Sequence, residues 1–289
     1  MRVLASLSLL FNALVWGLSW WPLRHLQQAH LHPLWATMCF FALGVVILLL
    51  WRPSVALDLW RQPALLSIAV VSGVTNATFN WGVAIGDVVR VVLLFYLMPV
   101  WAALLARLIL KESINWVALL RMGLALLGAL LVLKPAGHSW PTLGSLSDLL
   151  GLLGGMGFAL TNVLLRQQAA QPAASRAFAM FAGCTLLPGL LAWGLSGVGV
   201  VSGWPAWDWA WVGPVLLMGV IFFFSNLALQ YGASRLPVKL TSVLMLTEVL
   251  FAAASSAWLG ESALTPTVLM GGALIVLAAL LATLGESAE

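Results

Sequence analysis

Charged residues are scarce in this chain: they make up 8% of its 289 residues, whereas soluble domains carry about a quarter. Cysteine is rare as well, and Cys39 and Cys184 both lie inside apolar runs, so the sequence implies no disulfide framework. Nucleophile elbows, phosphate-binding loops and clusters of metal ligands are also missing from the sequence. These absences argue against an enzyme, and we expect no cofactor and no metal site.

Apolar residues dominate instead, at 62% of the chain. A fold in water could not bury this much apolar surface in one core, so lipid is the expected solvent. A helix needs about 20 mostly apolar residues to cross a bilayer. Runs of that length predict an all-α polytopic membrane protein with ten transmembrane helices, at 3–23, 33–51, 64–85, 88–110, 114–133, 147–166, 176–196, 209–231, 236–259 and 265–284. We interpret the first run as a helix rather than as a cleaved signal segment.

The segments between these runs are polar and short, and those at 52–63, 134–147 and 203–209 are predicted turns. With the N-terminus in the cytoplasm, most Lys and Arg residues fall on the cytoplasmic side, as the positive-inside rule requires. The sequence therefore predicts a bacterial-type inner (plasma) membrane protein with both termini in the cytoplasm. This topology accounts for the net charge of +4, and we expect no binding to nucleic acid.

The two halves of the sequence match each other. The matched pairs are Trp16-Gly17 with Phe158-Ala159, Arg24 with Arg166, Asn76 with Asn226, Arg90 with Lys239, Leu97–Val100 with Leu246–Val249, and Lys111-Glu112-Ser113 with Gly260-Glu261-Ser262. Because five is odd, two five-helix units must run through the membrane in opposite directions. We therefore expect two inverted five-helix repeats, 1–135 and 136–289, related by a pseudo-twofold axis in the membrane plane.

These residues resemble the EamA-type members of the drug/metabolite transporter superfamily over nearly the whole chain. The resemblance rests on Trp16-Gly17, on Leu97-x-Pro99 and Leu246-x-Glu248, and on the helix ends Leu110-Lys111-Glu112 and Leu259-Gly260-Glu261. It implies export of amino acids or other small metabolites through a central cavity lined by helices one, three, four, six, eight and nine. One departure is Val249, because that family often has proline after the glutamate.

Glu248 is the central candidate for the site, because a carboxylate inside a membrane usually faces a cavity or a partner. We expect it to contact a substrate amine or to carry a proton; a hydrogen-bonded link between helices is the alternative. Polar and aromatic side chains on the helices around the implied cavity complete the predicted substrate site: Asn76, Asn80, Asn226, Gln230, Asn162, Trp16, Trp20, Trp81 and Tyr96. Their alternatives are hydrogen bonds between helices for the amides and contact with lipid for the tryptophans.

Three further residues are predicted to act in the vestibules or in gating. Arg90 and Lys239 are related by the repeat and fall at opposite ends of their helices, where each could steer a carboxylate or extend to the membrane surface. Pro99 lies inside the fourth span, where it forms a hinge or a static kink.

The sequence thus predicts a secondary transporter that exports amino acids or similar small amphipathic metabolites across the inner membrane by alternating access. Its partners are a small-molecule substrate and the lipid bilayer, with proton coupling as one option for the driving force. An importer or exchanger of a nucleobase-like or other metabolite is an alternative, as is a non-transporting scaffold or an intramembrane enzyme. Both a monomer and a homodimer are compatible with the sequence.

Overall fold

The computed structural model describes residues 2–111, 116–133, 144–168, 170–233, 244–245, 247–261 and 264–285. The structure is 85% helical, and no strand occurs within these ranges. Seven helices among the described residues are long and apolar enough to cross a membrane: Val3–Gln28, Pro33–Trp51, Pro63–Ile85, Val88–Ile109, Leu146–Leu165, Ala173–Gly197 and Trp209–Leu229. The protein is therefore an all-α polytopic membrane protein, as the apolar runs predict.

In chain order the helices are α1 (Arg2–Leu18), α2 (Trp20–Gln28), α3 (Pro33–Trp51), α4 (Ser54–Arg61), α5 (Pro63–Ile85), α6 (Val88–Phe95), α7 (Met98–Leu105), α8 (Trp116–Leu133), α9 (Leu146–Gln167), α10 (Ala173–Gly197), α11 (Trp209–Ala233), α12 (Thr247–Trp258) and α13 (Pro266–Gly285). A π-helical turn, Ala106–Leu110, follows α7. Helices α8, α12 and α13 coincide in position with the three predicted spans at 114–133, 236–259 and 265–284. The first part of the span at 236–259 lies outside the described residues.

Two of the predicted spans are broken helices, and proline explains both breaks. Pro22 has no N–H group to donate to the carbonyl of Leu18, and the helix is interrupted at Ser19, between α1 and α2. In the same way Pro99 leaves the carbonyl of Phe95 without its helical donor, and the chain leaves the helix between α6 and α7. The first span therefore continues beyond its predicted end to the end of α2.

One connector is more regular than predicted, because the segment at 52–63 contains the short helix α4 rather than a turn alone. Val55 and Leu59 of this helix are buried against the bundle, whereas Trp60 on its other side is 77% exposed. The connection between α5 and α6 is very short, and Asp87 begins α6 by accepting a hydrogen bond from the N–H of Arg90 at 2.8 Å.

Glycine determines how closely several helices pack. A Cβ atom on Gly183 of α10 would collide with the backbone carbonyl of Ala69 on α5. Gly155 of α9 lies against the carbonyl of Phe95, which Pro99 leaves without a helical donor. Close backbone contact of this kind is typical of helix pairs in membranes, where van der Waals packing replaces the hydrophobic effect.

Candidate substrate site and the Arg24 face

Glu248 lies near the start of α12 and is buried, with 6% of its surface exposed. Its carboxylate Oε2 lies 3.1 Å from the hydroxyl of Tyr96, a buried residue at the break between α6 and α7. The same hydroxyl lies 3.2 Å from the carbonyl of Met245, so its single proton bonds to one of two acceptors. Within the described ranges no basic side chain forms an ion pair with Glu248. The carboxylate is therefore buried beside a neutral partner.

Helix α1 approaches α12 closely at this point because Gly17 has no side chain. A Cβ atom on Gly17 would lie 2.7 Å from Cβ of Phe251 and 2.8 Å from the carbonyl oxygen of Glu248 itself. Trp16, the residue before Gly17, therefore lies on a helix that packs directly against the part of α12 that carries Glu248. The Trp16-Gly17 pair thus combines an aromatic side chain with the space that lets α1 reach α12.

A continuous aromatic cluster leads from Trp16 to Tyr96. The Trp16 ring lies 4.7 Å from that of Phe222 and 6.2 Å from that of Phe79, measured between ring centroids. Phe79 lies 4.7 Å from Phe95, which in turn lies 5.8 Å from Tyr96. Helices α1, α5, α6 and α11 each contribute to this cluster. The structure therefore brings two of the predicted site residues, Trp16 and Tyr96, into one aromatic wall that ends at Glu248.

The two amides of α5 engage neighbouring helices instead of one another. The Nδ2 group of Asn76 donates to Sγ of Cys184 on α10 at 3.1 Å, and that of Asn80 donates to Oγ1 of Thr37 on α3 at 3.0 Å. Asn80 is fully buried, and its Oδ1 atom has no hydrogen-bond donor within the described part of the chain. Both contacts are hydrogen bonds between helices, which is the alternative to substrate binding that the sequence left open for these amides. The unbonded Oδ1 atom of Asn80 still leaves one acceptor for a ligand or water.

The predicted amides of the second half have local partners. Asn226 on α11 donates to the carbonyl of Phe222 one turn earlier, at 3.0 Å. Asn162 on α9 likewise donates to the carbonyl of Phe158 at 3.0 Å, and its side chain is exposed. Gln230 lies in α11, but its side chain falls outside the described residues.

A further amide, Asn12 of α1, was missed by the sequence analysis. Its side chain is fully buried, and Nδ2 donates to both the carbonyl (2.9 Å) and the hydroxyl (2.7 Å) of Ser225 on α11. These bonds fix the amide, and its Oδ1 atom has no donor among the described residues. Asn12 precedes Trp16 by four residues and so shares its helix face. A polar residue inside an apolar run, one turn from Trp16, was the signal available in the sequence.

Trp20 and Trp81 lie further along the bundle. The indole Nε1 of Trp20, which is 2% exposed, donates to the hydroxyl of Ser255 on α12 at 3.0 Å. The Trp81 ring packs edge-on against His32, with 5.1 Å between ring centroids. His32 lies in the loop before α3, where burial lowers its pKa to about 4. The neutral ring accepts a hydrogen bond from the N–H of Leu34 at Nδ1 and thereby caps α3.

Helices α2 and α12 end at the same end of the bundle, and we call this end the Arg24 face. Arg24 forms an ion pair with Glu261 and donates to the carbonyl of Gly86, and its guanidinium lies 5.2 Å from the centre of the Trp20 ring. Beside it is an open depression of about 560 Å³, to which Asp87 also contributes. In the sequence Glu261 is marked only by its place at the helix end Leu259-Gly260-Glu261, and the structure adds its pairing with Arg24.

A second ion pair joins the two halves of the sequence at the same face. The guanidinium of Arg90 on α6 contacts both carboxylate oxygens of Asp148 on α9, at 2.6 Å and 2.9 Å. The N–H of Gly144 also donates to Asp148, at 3.2 Å. The predicted vestibule residue Arg90 is therefore held in a two-point pair. Its predicted counterpart Lys239 lies outside the described residues, as does the side chain of Pro99.

The described residues include no group of three His, Cys, Asp or Glu side chains that could hold a metal ion.

Residues 3–134 match the model of the EamA-like transporter family. No curated protein sequence matches the chain significantly. Fifteen chains of solved structures match it. One of them, from the crystal structure of a protein, is 18% identical to this chain. The superposition covers 100% of this chain and 99% of the other chain, with a TM-score of 0.60. This likeness shows the fold alone. The match over residues 3–134 confirms, for that part of the chain, the resemblance found in the sequence to the EamA-type members of the drug/metabolite transporter superfamily.

Proposed function

We propose that the protein is a ten-helix secondary transporter, built from two inverted repeats (1–135 and 136–289), that exports amino acids or similar small amphipathic metabolites by alternating access. The observation that carries the proposal is the buried carboxylate of Glu248, which lies between α1 and the break in the fourth span beside a neutral hydroxyl. A buried carboxylate without a basic partner needs either a proton or a cationic ligand. An ammonium group is the cation that a small metabolite would bring.

Helix packing supports the inverted repeat. In that repeat α1 corresponds to α9, α3 to α10, α5 to α11, α6 to α12 and α8 to α13. Helix α1 packs on α11 and α12, and correspondingly α9 packs on α5 and α6. Helix α3 packs on α11, and correspondingly α10 packs on α5. The corresponding pairs α3 and α10, α6 and α12, and α8 and α13 pack on each other, as expected for elements beside a twofold axis.

Local conformation supports the repeat as well. Lys111 has φ of 58° and the matching residue Gly260 has φ of 72°. Both positions follow the end of corresponding helices, where a left-handed residue terminates the helix. Tyr96 and Met245 also correspond, and the hydroxyl of one lies 3.2 Å from the carbonyl of the other. Equivalent residues meet in this way when a twofold axis passes between them.

The chemistry of the lining fits a substrate with one ammonium group and an apolar or flat body. Glu248 would bind the ammonium, and the free Oδ1 of Asn12 offers a neutral acceptor on the adjacent helix. The ring of Trp16, with its neighbours Phe79 and Phe222, would cover the apolar part and attract the cation through its face. Tyr96 would hold the carboxylate in place while it binds.

The same carboxylate provides a route to proton coupling. Glu248 neutralises its charge with a proton or with a substrate ammonium, and one carboxylate buried among apolar groups does not hold both. Binding of substrate at one membrane face would then release a proton, and release of substrate at the other face would allow reprotonation. Export of the substrate would thereby be driven by entry of protons.

The test is uptake into proteoliposomes with labelled amino acids, amines and nucleobases, with and without a proton gradient. The wild type and Glu248→Gln would be compared with a control variant, Asp58→Asn. Asp58 is far from Glu248 in the sequence, and its carboxylate accepts a hydrogen bond from the hydroxyl of Ser175 at 2.6 Å. We expect saturable, gradient-dependent flux of one ammonium-bearing class, lost in Glu248→Gln and kept in Asp58→Asn. Equal flux in wild type and Glu248→Gln would refute the assignment of the site to this carboxylate.

A further inference from the structure

Helix α4 lies at the boundary of the membrane. Its eight residues, Ser54–Arg61, extend over about 12 Å, which is far too short to cross a hydrocarbon core of about 30 Å. Helix α3 ends at Trp51 and α5 begins at Pro63, and both helices are long and apolar enough to span the membrane. Because α4 joins the ends of these two spans, it lies at the level of the lipid headgroups on one side of the membrane.

One side of α4 is fixed to the bundle. Besides the two buried apolar residues of this helix, the carboxylate of Asp58 accepts a hydrogen bond from the hydroxyl of Ser175 on α10 at 2.6 Å. Directly after the helix, Oε1 of Gln62 accepts a hydrogen bond from Nε2 of Gln171 at 3.2 Å. These contacts fix the rotation of α4 about its own axis, and they place its acidic residue beside α10.

The outer side of α4, which we define as Leu57, Trp60 and Arg61, combines apolar, aromatic and basic side chains. These residues are three and four positions apart and therefore lie on one side of the helix. Leu57 is 54% exposed and Trp60 is 77% exposed, and Arg61 is exposed as well. Just before the helix, Trp51 and Arg52 are also exposed. Tryptophan and arginine beside exposed apolar residues are typical of helices that lie in the membrane interface.

The charge on this surface is positive. The segment 50–63 contains Arg52, Arg61 and a single acidic residue, Asp58, whose carboxylate is bonded to α10. Arg176 adds a third positive charge at the start of α10, the helix on which α4 packs. A partner for this surface therefore carries negative charge next to apolar groups, which is the chemistry of an anionic phospholipid. By the predicted topology this end of the bundle is cytoplasmic, where the surface potential of the membrane is negative.

We propose that the outer side of α4, together with Arg52, is a binding site for anionic phospholipids. Arg52 and Arg61 bind phosphate oxygens, to which a planar guanidinium offers two parallel N–H groups. Leu57 and Trp60 pack against the glycerol region and the acyl chains below the phosphates. The inference does not depend on which compound the protein transports, because it concerns the surface of the bundle that faces lipid.

The experiment measures which lipid surrounds a fluorophore on α4. Cys39 and Cys184 are replaced by alanine, and a single fluorophore is attached at Leu57→Cys, so that both arginines of the site remain in place. The control position is Val198→Cys at the far end of α10, which is 72% exposed and lies in a stretch, 177–234, without Lys or Arg. Liposomes of phosphatidylcholine contain a rising fraction of brominated phosphatidylglycerol or, in parallel, of brominated phosphatidylcholine. Bromine on the acyl chains quenches a fluorophore that the lipid contacts.

We expect the fluorophore at Leu57→Cys to be half quenched at a lower fraction of brominated phosphatidylglycerol than of brominated phosphatidylcholine. Arg52→Gln and Arg61→Gln should each raise the required fraction of phosphatidylglycerol about fivefold. Arg52→Lys and Arg61→Lys should keep most of the preference, because they keep the charge. The matched control, Arg107→Gln, removes a charge from an exposed arginine of the π-helical turn, which packs on α7 and α9, and should leave the preference unchanged.

Equal quenching by the two lipids at Leu57→Cys would overturn the proposal, and so would a preference that survives when Arg52→Gln and Arg61→Gln are combined. A preference of the same size at Val198→Cys would also overturn it, because anionic lipid would then gather around the whole protein. Weak quenching by both lipids at Leu57→Cys would show that another protein surface, such as a second copy of the chain, covers α4, and would overturn the proposal as well.

Discussion

The contact of α1 with α12 predicts a specific effect of adding one methyl group at Gly17. Gly17→Ala would place Cβ 2.7 Å from Cβ of Phe251, 2.8 Å from the carbonyl oxygen of Glu248 and 3.1 Å from the nitrogen of Ala252. Two of these three neighbours are backbone atoms of a helix, so they cannot move aside by changing rotamer. The two helices must separate by several tenths of an ångström, and Glu248 moves away from α1.

The magnitude follows from a comparison with Gly123→Ala. Both residues lie inside helices, so the gain in helix propensity, about 1 kcal/mol, is common to the two variants and cancels. Among the described residues no atom lies within 4 Å of a Cβ atom added to Gly123, whereas overpacking at Gly17 costs about 1–3 kcal/mol. Gly17→Ala should therefore unfold at a Tm roughly 3–8 °C below that of Gly123→Ala.

The assay is thermal unfolding of purified protein in detergent, followed by fluorescence, together with flux in proteoliposomes. We expect Gly123→Ala to transport like wild type and Gly17→Ala to lose transport while it still elutes as a folded protein. Equal Tm values and equal flux for the two variants would refute the close packing of α1 on α12 beside the carboxylate.

The remaining predictions concern a helix end and a loop histidine. Lys111→Gly should stabilise the protein by about 1 kcal/mol, because Lys111 has φ of 58°, where a side chain is strained and glycine is not; thermal unfolding measures this, and no gain would contradict it. Burial lowers the pKa of His32 from 6.5 to about 4, so the unfolded chain binds the extra proton between these values. Stability should therefore fall as the pH drops from about 6.5 towards 4, and His32→Gln should lessen this loss in unfolding curves measured at pH 5 and pH 7.5; an identical loss in the variant would contradict it.

The positions of the helices could be predicted from the sequence because apolar runs of sufficient length have few other structures available in lipid. The breaks at Ser19 and after Phe95 follow from the prolines that come shortly after them, and a kink at Pro99 is expected from its chemistry. The contact between Tyr96 and Glu248 could also have been expected, because the match between the two halves of the sequence aligns the segments that contain these residues.

Contacts between distant segments could not be predicted in this way. Asn76 and Asn80 share a helix face in the sequence, but which neighbours that face meets depends on how α5 packs against α3 and α10. The pairing of Arg24 with Glu261 joins residues at the two ends of the chain, and neither residue is unusual for the end of a membrane helix. Asn12 carries no motif, and it becomes a candidate only through its burial and its hydrogen bonds to Ser225 in the folded structure.

We propose that a substrate crosses through a site that opens to one face of the membrane at a time, and counterflow is the measurement that tests this. Proteoliposomes are loaded with an unlabelled substrate identified in the flux panel, diluted into a trace of the labelled compound, and followed without any ion gradient. We expect a transient accumulation of label above equilibrium in wild type, and none in Glu248→Gln. Label that rises only to equilibrium in wild type would indicate a channel-like pore, and label that never enters would indicate a protein that does not transport. Either result would refute transport by alternating access through Glu248.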